Sequence, residues 1–477
     1  MFIGLDLGTS SLKAILIDDD QRVLAEHAVP LTVQRRNDGW SEQDPAAWGA
    51  AAIEALRAIR AKNDCRGLKG IGLSGHMHGA TLVDAHDAVL RPCLLWNDTR
   101  AHTQAAAMDA DPRFRAITGN IVFPGFTAPK VAWVRDNEPE IFERIAKVLL
   151  PKDYLRLFLT GEHVAEMSDA AGTAWLDTAR RDWSDDLLSA SGLSRAQMPR
   201  LVEGAAVSGR LRDTLATELD LPSVIVAGGG GDNAAAAIGA GVIHDGQAFL
   251  SLGTSGVLFA ANDGYRPDAA TAVHTFCHAV PDRWHQMGVI LAASDALEWL
   301  ARLTGRSAAD LTRDLGDLRA PSHTLFLPYL GGERTPHNDA AIRGQFLHLD
   351  HGTDAQAATR AVLEGVAFAF CDCRDALAAT GTTIQRALAL GGGARSDYWL
   401  RVLATALGFP LDVPAQGEFG AAMGAARLAM MAATGAGAEI ATPPAIARSI
   451  TPESVLAEAF GAAHARYRAA YAALKGL

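Results

Sequence analysis

Several chemistries are missing from this sequence. Cysteine is scarce: Cys65, Cys93, Cys277, Cys371 and Cys373 are the five thiols in 477 residues. An odd and sparse set makes no disulfide framework and reads as reduced thiols, which points to a cytoplasmic protein. No run of Lys and Arg marks a nucleic-acid face, and a net charge of −11 argues the same way. No apolar stretch reaches the roughly 18 residues of a membrane helix. The Ala/Gly-rich segment 420–438 comes nearest, but Arg427 interrupts it. The opening MFIGLDLGTS has no basic leader and carries Asp6 inside its apolar run, so it does not read as a signal peptide. The pattern G-x-x-x-x-G-K-[ST] is absent, which excludes a P-loop. What remains is an ordinary globular balance, 49% hydrophobic and 20% charged, long enough for two large domains.

Short apolar runs alternate with helical patterns, the mark of an α/β protein. Residues 2–7 and 12–17 flank Gly8-Thr9-Ser10-Ser11, and Asp18-Asp19-Asp20 turns the chain again before Arg22-Val23-Leu24, which predicts a β-meander. Asp44-Pro45 supplies an N-cap and a first helical residue for a helix to about Ala61. Buried strands are expected at 69–73 and 224–227. The second ends in Gly228 to Gly231, then Asp232-Asn233 and an Ala-rich helix over 234–240. Leu7-Gly8-Thr9-Ser10 recurs as Leu252-Gly253-Thr254-Ser255, 245 residues later and again between two β-like runs. Two similar halves are therefore expected, 1–243 and 244–477, each opening on a hairpin with a Gly-Thr-Ser turn.

Such a turn has a physical use. Glycine lets the backbone approach a ligand closely, and the exposed N–H groups and hydroxyls form a nest for an anion. Two such turns across a cleft would grip one triphosphate from both sides, although either alone reads as an ordinary tight turn. Asp6, at the end of an apolar strand beside the first turn, suits a Mg²⁺ held partly through water. Asp232 stands at a strand-to-helix corner, where α/β folds face their ligand crevice and where a proton-accepting base is wanted. A plain helix N-cap explains Asp232 equally well. Gly391-Gly392-Gly393 follows the strand 387–390 and would set a nucleotide against a helix N-terminus. Gly70-x-Gly72-x-x-Gly75 imitates a dinucleotide motif, but its glycines run through the strand and no acid follows about 20 residues on. His76-x-His78 offers two imidazoles but no companions for a metal.

Taken together, these segments resemble the FGGY carbohydrate kinases, over nearly the whole chain. Gly4-Leu5-Asp6-Leu7-Gly8-Thr9-Ser10 is similar to the family's first phosphate motif, and Ser251-Leu252-Gly253-Thr254-Ser255-Gly256 to the second. Gly125-x-Thr127-x-x-Lys130-Val131-x-Trp133-Val134-x-Asp136-Asn137 resembles its first signature, Gly230-Gly231-Asp232-Asn233 its catalytic segment, and Gly391-Gly392-Gly393-Ala394 its adenosine motif. The resemblance implies two ribonuclease-H-like domains of actin/hexokinase type around a central ATP cleft. It also implies MgATP as phosphate donor. Thr9, Ser10, Lys13 and Thr254 would hold the phosphates, Gly392 and Gly393 the adenosine, and Asp6 the Mg²⁺. The sugar would sit in the first domain against Met77, His78, Asp232 and Asn233, with Asp232 accepting its hydroxyl proton. Ser74 to Thr81, Leu95 to Asp98, Leu150 to Arg156, Met167 to Thr173 and Gly332 to His337 are most similar to the bacterial xylulokinase branch, which implies D-xylulose as acceptor, with another sugar or polyol of the family (ribulose, fuculose, gluconate or glycerol) as the alternative. A homodimer is left open. Two departures stand out: four glycines before Asp232 where three are expected, and His348 where the family's second signature has glycine.

Overall fold

The computed structural model describes residues 1–313, 315–415 and 420–476. The expected meander forms as β1 (Phe2–Leu7), β2 (Ser11–Ile17) and β3 (Val23–Pro30). Strand alternation turns Ile3, Leu5 and Leu7 of β1 and Leu12, Ala14 and Leu16 of β2 to one face, where they pack on Trp48, Ala52 and Leu56 of α1 (Pro45–Lys62). Asp44 caps α1 as anticipated, its carboxylate accepting from the Ala46 N–H at 3.0 Å. β4 (Gly70–Gly75) lies parallel to β1. The chain then makes α2 (Thr127–Asn137) and α3 (Pro151–Thr160) before returning to the sheet as β5 (Val207–Arg210), β6 (Ile225–Ala227) and the short β7 (Gly230–Gly231). The order is β5-β6-β4-β1-β2-β3, with β7 also pairing with β4.

α4 (Asp232–Ala240) closes the first half, and the second repeats the plan. β8 (Ala248–Leu252), β9 (Gly256–Asn262), β10 (His274–Cys277) and β11 (Trp284–Ile290) are antiparallel neighbours. α5 (Ala355–Ala379) then leads to β12 (Ala387–Leu390), parallel to β8, and α6 (Asp397–Leu407) leads to β13 (Leu411–Pro414), parallel to β12. Each sheet is thus a hairpin whose first strand is flanked by a parallel strand reached through helices. Each also ends on an antiparallel edge: β5 in the first, β14 (Ile446–Ile450) in the second.

α7 (Gly420–Thr434) departs from this symmetry. It follows β13 in sequence but packs on the first sheet. A Cβ on Gly4 would come within 1.9 Å of the Ala422 carbonyl oxygen, and one on Gly72 within 1.8 Å of that of Ala425. Gly72 therefore serves the close approach of a helix, which disposes of the dinucleotide imitation. Phe2, Ile15 and Ile17 meet Ala422, Met423, Ala426 and Met430 along the same seam. Arg427 is buried there and donates to the Ile238 and Gly239 carbonyls at the end of α4, at 2.9 and 3.0 Å. Among the described residues no helix is long and apolar enough to cross a membrane.

Candidate active site

The site begins at the glycine corner after β6. Gly229 takes φ +80°, and a Cβ there would stand 2.0 Å from the Leu73 carbonyl oxygen, so the chain can turn here only with glycine. The corner is tied down from beneath. Arg156 donates to the carbonyls of Ala227 and Gly228 at 2.6 and 2.5 Å, and the Gly231 N–H donates to Glu166 Oε1 at 3.2 Å and Ser168 Oγ at 3.0 Å. Glu166 belongs to a fully buried charge cluster. Lys152 Nζ lies 2.6 Å from Asp153, 3.4 Å from Asp169 and 3.9 Å from Glu166. Burial raises the Asp169 carboxyl well above its ordinary range, against the opposing pull of Lys152. Segments 150–156 and 167–173 carry family likeness in the sequence without a role. The structure gives them one, as the foundation of this corner.

Asp232 is the first residue of α4, and Gly231, not Asp232, occupies the N-cap position. Its Oδ1 accepts from the N–H of Asn233 at 2.7 Å and from Asn233 Nδ2 at 2.9 Å, so it caps no later turn of the helix. The N-cap alternative is thereby set aside. Burial, followed by the nearby charge of Asp6, pushes the Asp232 carboxyl up to about 6. Asp6 stands directly across the ladders from Lys13 on β2 and Ser74 on β4. Burial raises its pKa too, with Ser74 and Lys13 opposing, and among the described residues its buried Oδ1 has no hydrogen-bond partner.

Met77, His78, Asp232 and Asn233 line one cavity of about 300 Å³. His78 is held in a left-handed conformation, φ +70°, by its own carbonyl, which accepts from Thr127 Oγ1 and Lys130 Nζ, both at 3.0 Å. These two residues of α2 belong to the Gly125–Asn137 signature, whose purpose here is to lock the His78 backbone. Burial brings Lys130 down to about 7. The His78 ring stacks on Phe126 with centroids 4.7 Å apart, and burial lowers its pKa to about 3, so it is neutral. Its Nδ1, 2.7 Å from the Gly172 carbonyl oxygen, must carry the hydrogen, which leaves Nε2 as an acceptor. His76 faces elsewhere, edge-on to Trp48. The expected placement in the first half covers only part of the wall. Ser255, His274, Phe276, Met287 and Arg334 line the cavity from the second half; the sequence offered Ser255 in a phosphate motif and Arg334 in a family-like segment without a place in the sugar wall, and did not single out His274, Phe276 or Met287.

Asn233 also lines a second cavity, of about 370 Å³, together with Ala236, Ser251, Gly253, Gly391 and Gly392. The two spaces meet at the corner that carries Asp232. Among the described residues nothing lies within 4 Å of a Cβ added to Gly392, whereas one added to Gly393 would meet Leu252 and Trp399. A 3₁₀ turn over Gly392–Arg395 separates this run from α6, whose cap is Ser396, so the glycines do not lead straight into the helix. Thr9, Ser10, Lys13 and Thr254 line neither cavity, and Thr9 and Thr254 border them. Thr9 Oγ1 accepts at 3.0 Å from the indole of Trp96, a residue of the first cavity. Thr254 lies between Gly253 of the second cavity and Ser255 of the first. Lys13 pairs with Glu26 at 3.1 Å. Far from both cavities in sequence, His348 adopts φ +59°, which accounts for the glycine expected in its place.

The model of the FGGY family of carbohydrate kinases, N-terminal domain, matches residues 1–239, and that of the C-terminal domain matches residues 248–433. The chain belongs to the FGGY family of carbohydrate kinases. This FGGY kinase is 49% identical over 437 residues to a xylulose kinase of Escherichia coli, covering 91% of this chain and 90% of that one. It is 38% identical to a xylulose kinase of Bacillus subtilis over 91% of this chain and 88% of that one. Among solved structures, a xyloylose kinase from Brucella ovis superposes with a TM-score of 0.98 at 58% identity, covering 99% of each chain. A xylulose kinase from Rhodospirillum rubrum superposes at 0.92 with 30% identity, over 99% of this chain and 98% of that one.

Proposed function

We propose that the chain transfers the γ-phosphoryl group of ATP to the C5 hydroxyl of D-xylulose, giving D-xylulose 5-phosphate and ADP. The observation that carries this reading is the meeting of two cavities at Asn233, with the buried carboxylate of Asp232 beside it, held by Asn233 alone among the described residues. One cavity has the aromatic and hydrogen-bonding walls that suit a sugar, and the other has the open glycine backbone that suits a nucleotide. The C5 oxygen attacks the γ-phosphorus, the bond from that phosphorus to the β–γ bridging oxygen breaks, and the hydroxyl proton passes to Asp232. In a loose transition state the nucleophile needs little activation, so aiming the hydroxyl matters as much as taking its proton.

Asp6 fits a magnesium-linked role. Its Oδ1 is a buried acceptor without a partner, and its charge and that of Asp232 repel across the corner. A divalent cation there would neutralise charge on the phosphates as it builds. Thr9, Ser10 and Thr254 offer hydroxyls and turn N–H groups to the phosphates. Lys13 would exchange Glu26 for a phosphate oxygen. Gly392 gives the adenosine a wall without side chains. Closure of the halves would exclude water from the transfer. The compartment is the cytoplasm, where ATP is at hand and the five buried thiols stay reduced.

The test is ATP turnover against D-xylulose, D-ribulose, gluconate and glycerol. D-Xylulose should give the highest kcat/KM. Equal values for the two pentuloses defeat the substrate assignment. Absence of turnover with every acceptor defeats the kinase reading.

A further inference from the structure

The first cavity contains a cation that the phosphoryl transfer does not use. Arg334 reaches into it from the segment that follows the short strand Leu325–Leu327, its guanidinium 4.8 Å from the centre of the Phe123 ring. Among the described residues this guanidinium joins no ion pair. Its polar contact is His274 Nε2, at 3.4 Å from Nη1. The neighbouring Glu333 acts on it through charge but forms no ion pair with it, its Oε1 accepting instead from the N–H groups of Leu291 and Arg334 at 2.9 and 2.8 Å. Arginine only donates, so His274 Nε2 accepts, and in a neutral ring the hydrogen sits on Nδ1. Among the described residues that Nδ1 is buried without a partner, in a residue 3% exposed. This end of the cavity therefore holds unspent donors, whereas His78 presents an acceptor.

Position adds a direction. Asn233 belongs to both cavities and marks the nucleotide end, beside Asp232. Arg334, His274 and Phe123 line only the first cavity. If the terminal C5 hydroxyl lies at Asp232, the other end of the pentulose carries the C2 carbonyl, the one sugar oxygen that accepts without donating.

We propose that Arg334 and His274 read the carbonyl of the ketose, the guanidinium and the Nδ1–H donating to the C2 oxygen while C5 is presented to Asp232. The assignment rests on the functional reading above. It makes Arg334 a specificity residue supplied by the second half, so that the complete sugar site exists only with both halves in place. Leaving buried donors unpaired is what lets a site reject a near-isostere, and an alditol brings a hydroxyl where the carbonyl was.

The experiment compares Arg334→Gln with the unaltered enzyme on three compounds. These are D-xylulose, 1-deoxy-D-xylulose (which keeps the carbonyl and lacks the C1 hydroxyl) and xylitol, followed as a competitive inhibitor. We expect kcat/KM for both ketoses to fall about 10- to 100-fold, the worth of a hydrogen bond to a charged group. The KM for ATP and the inhibition constant of xylitol should hardly move. Equal losses for ketose and alditol would make Arg334 merely structural and overturn the proposal. A loss with D-xylulose but none with 1-deoxy-D-xylulose would move the contact to the C1 hydroxyl and overturn it too. Should Arg334→Gln not fold, Arg334→Lys keeps the buried charge but not the planar fork, and it should show the same ketose-selective loss at smaller size. An unaltered enzyme inactive on D-xylulose overturns the functional reading itself. An active one with unselective losses overturns only this inference.

Discussion

The two Gly-Thr-Ser hairpins share a sequence and a place in their sheets, and they differ in charge and in register. In the first, Asp6 faces Lys13 across the ladder, and four residues separate the paired Leu7 and Leu12. In the second, the place of Asp6 falls to Ser251, which faces Val257, and three residues separate the paired Leu252 and Gly256. A slip of one residue turns every later side chain to the opposite face. The position equivalent to Lys13 in sequence is thus Leu258, fully buried in the core, while Val257 faces the sugar cavity. The foundations differ as well. The glycine corner of the first half rests on Lys152, Arg156 and three buried carboxylates, and that of the second rests on Leu252 and Trp399. The proposed grip on phosphate is offered by both halves, but among the described residues the ionic chemistry of these corners belongs to the first alone.

The strongest challenge to that contrast is to remove the ionic chemistry at its centre. Asp232→Asn should lower kcat by about 10²- to 10⁴-fold, the usual worth of a positioned base, and leave nucleotide affinity intact. Near-normal turnover by this variant would return the chemistry to some other group. The charged foundation can be tested by Lys152→Met, which strands Asp153, Glu166 and Asp169 with Arg156 alone. Breaking a buried pair costs about 3–5 kcal/mol, which a shift of the denaturant midpoint would register. The exposed Arg195–Asp182 pair, at 2.9 Å, is the control; severing it should cost about 0–1 kcal/mol. Similar losses for the two would mean that the cluster is ordinary.

The duplicated grip predicts matching effects. Thr9→Val and Thr254→Val should each raise KM for ATP about tenfold, as expected for one hydroxyl bond to a charged phosphate, with KM for the sugar unchanged. A response from Thr9 alone would show that the second hairpin is only a structural echo. The smallest effect concerns pH. Asp232 must be ionised to accept a proton, and with its pKa near 6 the value of kcat/KM should decline as pH falls through about 6. Asp6→Asn removes a like charge and should move this acid limb to lower pH, in addition to weakening the response to Mg²⁺. An acid limb that stays in place would leave burial as the sole cause of the Asp232 shift.

Much of this was legible in the sequence, for identifiable reasons. Period-two apolar runs and turn residues gave β1 to β3, and Asp44-Pro45 gave the start of α1, because these are local signals. Asp232 could be picked out because glycines at a strand-to-helix corner betray a tight backbone path. The second-half wall of the sugar cavity was not legible. His274, Phe276 and Met287 lie on β10 and β11, where alternation reads only as a half-buried strand, and the cleft that brings them to His78 is a long-range fact. The foundation under Asp232 was hidden for a similar reason: Lys152, Glu166 and Asp169 sit in three separate elements, and nothing local announces that charged residues will be wholly buried. The destination of α7 was equally hidden, since a run of Ala and Gly allows close packing without saying on what.

That helix has a consequence for how the chain matures on the ribosome. The first sheet is synthesised early, yet the side of it that carries Phe2, Gly4, Ile15 and Ile17 is covered by a segment ending at Thr434. Until α7 has been made, that apolar strip has no native cover. A gene cut at the midpoint would yield an amino-terminal fragment with a permanently bare, glycine-lined furrow. Co-expression of the remainder would restore it only by threading α7 back into that furrow. The amino-terminal half is a recognisable sequence module whose sheet is completed by a helix from the other half.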